Sequence, residues 1–277
     1  MPAWSDLERE LDHWTGDIPA ATLWWRDDDA ITVTPQFETL IKYATVHDVP
    51  VALAVIPSAA TSELAAYLKH RQEVAILQHG YSHTNHAPEN EKKAEFAAHR
   101  PCAAMLDDLV QGARLLGDNF PTVKPVLVPP WNRICDDVAN RLPEIGIPGL
   151  STFRARSDMA RIPGLHRVNT HIDIIDWRET RNFTGTEIAL ADLIAHLQAR
   201  RAGTVDPEEP TGLLTHHLVH TQECWQFLDH LFRITNAHKA AIWQSADIVF
   251  GRQNKTSRNP SENTSQPYRR QKPASQL

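Results

Sequence analysis

Six apolar residues in a row, Val51-Ala52-Leu53-Ala54-Val55-Ile56, leave a strand no polar face to turn toward water. Such a run suits a strand covered on both sides, the situation of a parallel sheet flanked by helices. The rest of the chain up to about residue 250 repeats that theme. Short strand-like runs are expected at Ala21–Arg26, Val51–Ile56, Val74–Leu77, Val126–Val128, Gly149–Phe153 and Gly212–Thr215, with an extended stretch at Arg167–Asp176. Between them the spacing predicts helices over Ser5–Trp14, Thr34–His47, Thr61–His70, Glu91–Leu116 with a break at Pro101, Asp136–Leu142, Thr186–Arg201 and Gln222–Ala237. Strict alternation without repeats or a linker points to one α/β domain whose parallel sheet is open or closed as a barrel.

The last stretch, 251–277, departs from this pattern. It is rich in Ser, Asn, Gln and Pro, and carries six basic residues against the single acid Glu262. A disordered basic tail is expected there, appended to a domain spanning 1–250. Without the tail, 22 basic residues face 33 acidic ones. That balance argues against a phosphate-tracking nucleic-acid surface. The three cysteines, Cys102, Cys135 and Cys224, are odd in number and widely spaced, with no CxxC pair. A disulfide framework or cysteine metal site is therefore not expected. No apolar run approaches a membrane span, and the first residues lack the basic and apolar regions of a signal peptide. A cytoplasmic protein is the expectation.

The polar outliers share one placement, at the carboxyl ends of the predicted strands, where parallel α/β folds build their sites. Asp27, Asp28 and Asp29 follow the first strand, and His79 and His83 follow the third. Trp131 to Arg133 follow the Val126 strand, Asp173 and Asp176 lie in the extended stretch, and His216 and His217 follow the Gly212 strand. Three adjacent carboxylates repel one another unless a cation neutralises them. Two histidines and one aspartate make an open divalent-metal site, with zinc the best fit and coordination positions left for water and substrate. A neighbouring aspartate that is not a ligand can serve as general base, and a histidine at the sheet's edge as general acid. His86 is expected to be a solvated loop residue. Trp24, Trp25, Trp131 and Trp177 fall near these segments and are either core, the default for tryptophan, or the lining of a groove.

Together these segments resemble the polysaccharide deacetylase superfamily, the NodB homology or carbohydrate esterase family 4 proteins. The family's Thr-Phe-Asp-Asp-Gly motif resembles Arg26-Asp27-Asp28-Asp29-Ala30. Its His-(Ser/Thr)-x-x-His resembles His79-Gly80-Tyr81-Ser82-His83, with glycine at the second place. Its Arg-x-Pro-aromatic resembles Val128-Pro129-Pro130-Trp131 without the arginine. Asp173-Ile174-Ile175-Asp176-Trp177 matches its Asp-x-x-Asp-Trp, and Leu213-Leu214-Thr215-His216 its Leu-x-x-His. The five occur in family order over roughly residues 20–220.

The resemblance implies a distorted (β/α)7 barrel and hydrolysis of an N-acetyl amide on a sugar. By it, Asp29, His79 and His83 hold the metal and Asp28 is the base. The backbone N–H of Trp131 meets the oxyanion, His216 is the acid, and Asp176, with Asp173 a further candidate, tunes that histidine. The triple aspartate leaves a second register open, with Asp27 as base and Asp28 as ligand. His217 competes with His216. Arg26 or Arg133 is available where the family's arginine is missing. A small non-sugar amide is an alternative substrate, and a catalytically inactive carbohydrate-binding protein an alternative function.

Overall fold

The computed structural model describes residues 2–15, 19–71, 73–155 and 162–251; the expected basic tail lies almost wholly outside them. Helix α1 (Trp4–Asp12) precedes strand β1 (Ala21–Ala30). There follow α2 (Pro35–His47), β2 (Val51–Val55), α3 (Ser62–Leu68), β3 (Ala75–His79), α4 (Cys102–Asn119) and β4 (Val123–Val128). Then come α5 (Asp136–Ala139), β5 (Gly149–Leu150), β6 (His166–Arg167) and β7 (Ile172–Asp173). The chain continues through α6 (Thr186–Arg201), β8 (Thr211–Thr215), α7 (Gln222–Ala237), β9 (Ala241–Trp243) and α8 (Ala246–Phe250).

The sheet runs β6-β5-β4-β3-β2-β1-β8-β7, and every pairing is parallel. β6 pairs with β5, and β7, only four residues further along the chain, pairs with β8. One extended segment thus occupies a single position and joins the two edges. The ring has seven positions, a distorted (β/α)7 barrel, with β9 added beside the start of β1.

Alternation of side chains across β1 sorts the core into two layers. Trp24 faces the barrel interior with Ala52, Ala54, Leu77, Val126 and Val128. Trp25 faces outward, into the larger layer beneath the helices with Phe37, Leu40, Leu228 and Phe232. Both tryptophans are fully buried, so each is core. Their indole N–H groups are satisfied by Asn169 O and Thr215 Oγ1 at 3.0 and 2.8 Å. Small alanines at β2 positions 52 and 54 leave room for Trp24 inside the ring. The run Val51–Val55 is buried at every position, as its composition demands.

Local signals set several boundaries. Thr34 caps α2 by accepting the N–H of Phe37, Pro35 starts the helix, and Asp48 in the left-handed region ends it. One expected helix is absent: 91–101 is irregular, and α4 starts only after Pro101. Tertiary demands outweigh helical propensity there. Phe96 is fully buried and bridges to Ile134, and Asn85 Oδ1 holds the backbone N–H groups of Ala87 and Ala94. Strand β9 and helix α8 were not anticipated from the sequence; both are too short to display a period.

Candidate active site

The site is built at the carboxyl rim of β1, β3, β4 and β8. A register shift between Asp27 and Ala30 and a left-handed φ of 72° at Asp29 break the alternation of β1. Two successive carboxylates, Asp28 and Asp29, therefore both serve the cleft, an arrangement a regular strand forbids. Asp29 Oδ1 lies 3.0 Å from His79 Nε2 and 3.3 Å from His83 Nε2. These three atoms lie within 4.8 Å of one another. His79 donates its Nδ1–H to Val128 O at 2.9 Å, so Nε2 is the ring nitrogen that faces Asp29 and His83; it donates to Asp29 when the ring is protonated and offers a cation its lone pair when the ring is neutral.

Electrostatics mark the cluster. Burial works against the charge of Asp29, but the hydrogen bond from His79 and the nearby His79, His216 and His83 hold it well below the usual carboxylate range. For His79, burial is outweighed by the Asp29 hydrogen bond and the charges of Asp28 and Asp29, which raise its pKa. His83 is lowered by its own burial and by His79. Two imidazoles and a carboxylate with their ligand atoms converging on one point form a donor set suited to a divalent cation.

Asp28 sits on the barrel side with Arg26, two residues away on the same face. The guanidinium forks onto the carboxylate, Nε to Oδ1 at 2.8 Å and Nη2 to Oδ2 at 2.9 Å. Nη1 donates to Ser151 Oγ and Thr152 O, and Nη2 also to Asn132 Oδ1. All five donors of the fully buried Arg26 are used. Of the two arginines available for the missing third-motif arginine, Arg26 makes this contact; Arg133 points to the surface, where Nη1 binds Lys93 O.

Asp27 faces the other way, bound to Thr215 and His217 in the outer layer. The register with Asp27 as base and Asp28 as ligand therefore has no geometric basis. His217 is fully buried with Asp27, whereas His216 is partly open and packs edge-on against Trp177, ring centroids 4.7 Å apart.

Trp131 and Asn132 both adopt left-handed backbone, φ 54° and 56°, as does His83 at 56°. Strained non-glycine residues gathered at one rim are characteristic of functional sites. Trp131 packs on His83 with ring centroids 4.4 Å apart. His86 is exposed.

Asp176 is not brought to His216. Its carboxylate is occupied by its own turn, accepting the N–H groups of Arg178, Glu179 and Thr180. Of the two fourth-motif carboxylates, Asp173 is the one that feels His216. Burial raises its pKa, the charge of His216 opposes that rise, and Asp28 adds to it. Its Oδ2 also accepts the indole N–H of Trp177, a side chain 40% exposed at the rim.

One site residue escaped sequence reading. Glu95 is fully buried and accepts Tyr81 N–H, Ser82 N–H and Ser82 Oγ–H, which shapes the loop between His79 and His83. Gly80 makes this possible. Its φ is +60°, and a Cβ there would stand 2.0 Å from Glu95 Oε2 and 2.7 Å from the Pro130 ring. The glycine in the second motif was the only available signal.

No protein-family model and no curated protein matches the sequence. Solved structures do match in fold. A putative polysaccharide deacetylase from Mycobacterium smegmatis superposes with a TM-score of 0.60 at 16% identity, over 86% of this chain and 92% of that one. A family 4 acetyl xylan esterase from Clostridium thermocellum, in complex with cobalt, gives 0.53 at 12% identity over 83% and 90%. A family 4 pseudoenzyme from Bacillus anthracis gives 0.52 at 12% over 80% of this chain and 63% of that one. The chain therefore has the fold of the carbohydrate esterase family 4 deacetylases.

Proposed function

We propose that the protein is a divergent member of the polysaccharide deacetylase superfamily, a divalent-metal-dependent hydrolase that removes the acetyl group from an N-acetylated sugar. The observation that carries this reading is the convergence of Asp29, His79 and His83 beside Asp28, itself braced by Arg26. Asp29, His79 and His83 would hold the cation, with zinc the expected ion. When bound, it supplies Lewis-acid polarisation of the amide carbonyl and makes water acidic enough to attack near neutral pH.

The chain's own groups account for the proton movements. Asp28 takes the proton of the attacking water, held in place by the Arg26 fork. The N–H of Trp131, presented by the left-handed turn at 131–132, donates to the developing oxyanion. His216 gives its proton to the departing amine as the C–N bond breaks, and Asp173 rather than Asp176 is the carboxylate that supports its charge. Trp131 and Trp177 offer apolar faces to a sugar ring.

The test pairs metal analysis with acetate release. Purified protein should hold about one divalent ion per chain, and His79→Ala/His83→Ala should lose it. The native protein should release acetate from N-acetylglucosamine oligomers and not from simple acetanilides, with His216→Ala lowering turnover about 10²–10⁴-fold while keeping the metal. Preference for the small amides would move the substrate class. Metal retention without any acetate release would favour an inactive carbohydrate-binding protein.

A further inference from the structure

We propose that Asp27 and His217 form a buried clamp that aims His216 into the cleft. The proposal rests on His216 being the proton donor in the reading above. Asp27 is a charged side chain in the layer between sheet and helices, where apolar residues are the ordinary occupants. Burying a carboxylate there is costly unless it is fully paired.

Asp27 is fully paired, and every partner belongs to the segment that carries His216. Oδ2 accepts Thr215 Oγ–H at 2.6 Å and the backbone N–H of His217 at 3.0 Å. Oδ1 meets His217 Nδ1 at 2.5 Å. Asp27 and Thr215 are also register partners in the β1–β8 pairing, so the carboxylate stands where β8 ends. The hydroxyl of Thr215 is fixed from its other side by Trp25 Nε1.

The residues on both sides of His216 are thus tied to one carboxylate in the outer layer. Neighbours along an extended chain point to opposite sides, so tying 215 and 217 outward turns 216 toward the cleft, where its ring meets Trp177. His217 has no second hydrogen bond to hold its ring. Its Nε2 is buried without a hydrogen-bond partner among the described residues, and its ring packs in a T-shaped arrangement with Phe37. Its orientation therefore depends on Asp27. Neither Asp27 nor His217 touches the Asp29–His79–His83 cluster, so both are positioning residues.

The experiment is a double-mutant cycle in the full chain loaded with zinc. Asp27→Asn should lower kcat about 10–100-fold, leaving KM and zinc stoichiometry within twofold. In the His216→Ala background the same substitution should cost nothing further, because the clamp acts only through His216. His217→Asn, whose amide can reach Asp27 in place of Nδ1, should retain most activity, and His217→Phe should not. Losses that multiply in the His216→Ala background would overturn the proposal. A second readout needs no turnover and also serves if Asp27→Asn folds poorly. The His216 imidazole resonance, identified by its absence in His216→Ala, should move in His217→Phe and stay in place in His217→Asn. An unmoved resonance in His217→Phe would sink the clamp even if the protein proved not to be a deacetylase. A moved resonance without acetate release would uphold the clamp and reject the enzymatic reading instead.

Discussion

Among single residues, Arg26 is fully buried with every donor used. Asp28, buried with it, takes two of its donors, and the other three tie β1 to Asn132, Ser151 and Thr152. Arg26→Met would strand the Asp28 carboxylate in the barrel interior, and losing one partner of a buried pair costs about 3–5 kcal/mol. Urea unfolding should show that loss. Adding Asp28→Asn should recover part of the stability and none of the activity. Equal stability of Arg26→Met and the parent would mean that water replaces the guanidinium. This pairing was half legible in the sequence. Arg26 and Asp28 share a strand face by the two-residue period, so their proximity follows from covalent geometry. That Arg26 rather than Arg133 binds the carboxylate does not follow, because it depends on where the turn after β4 aims.

At the scale of elements, the loop joining His79 to His83 behaves as one unit with Glu95. The loop's N–H groups end on a carboxylate supplied from an irregular segment thirteen or fourteen residues away, and Gly80 leaves the space for it. Gly80→Ser would force a side chain into φ +60° and against Glu95 and Pro130. Displaced outer contacts of a metal ligand typically cost 10–100-fold in metal affinity, and zinc titration of Gly80→Ser should show roughly that loss. Glu95→Ala should weaken zinc to a similar degree by freeing the loop. Unchanged zinc affinity in both variants would separate the loop from the metal centre. The spacing of the two histidines was readable in the sequence; the role of Glu95 was not. Its segment reads as helix by composition, and the burial of Phe96 and the bonds of Asn85, both tertiary features, help hold it irregular.

For the whole molecule, a pair of partly buried histidines away from the site sets a pH dependence of stability. His196 on α6 stacks on His171 with ring centroids 3.6 Å apart, near the start of β8. Burial, His171 and Arg200 together lower its pKa to about 2. An unfolded histidine titrates near 6.5. Between these values the unfolded chain binds a proton that the folded chain refuses. The stability due to neutral His196 is complete above about pH 6.5 and is lost progressively as pH falls toward 2. The slope approaches about 1.4 kcal/mol per pH unit. His196→Gln should flatten the fall in unfolding free energy between pH 6.5 and 5 relative to the parent; parallel curves would mean that the ring is solvated.

The sequence by itself determined the α/β alternation, the two-sided burial of the Val51–Val55 strand and the carboxyl-end placement of the polar residues, because these follow from composition, periodicity and chain direction. Asp29 joining Asp28 at the cleft, His216 rather than His217 facing it, Asp173 rather than Asp176 standing near His216, and Glu95 shaping the histidine loop were decided by the tertiary structure. Each depends on a bulge, a left-handed residue or a distant side chain, and such features arise only when segments far apart in the chain compete for the same space.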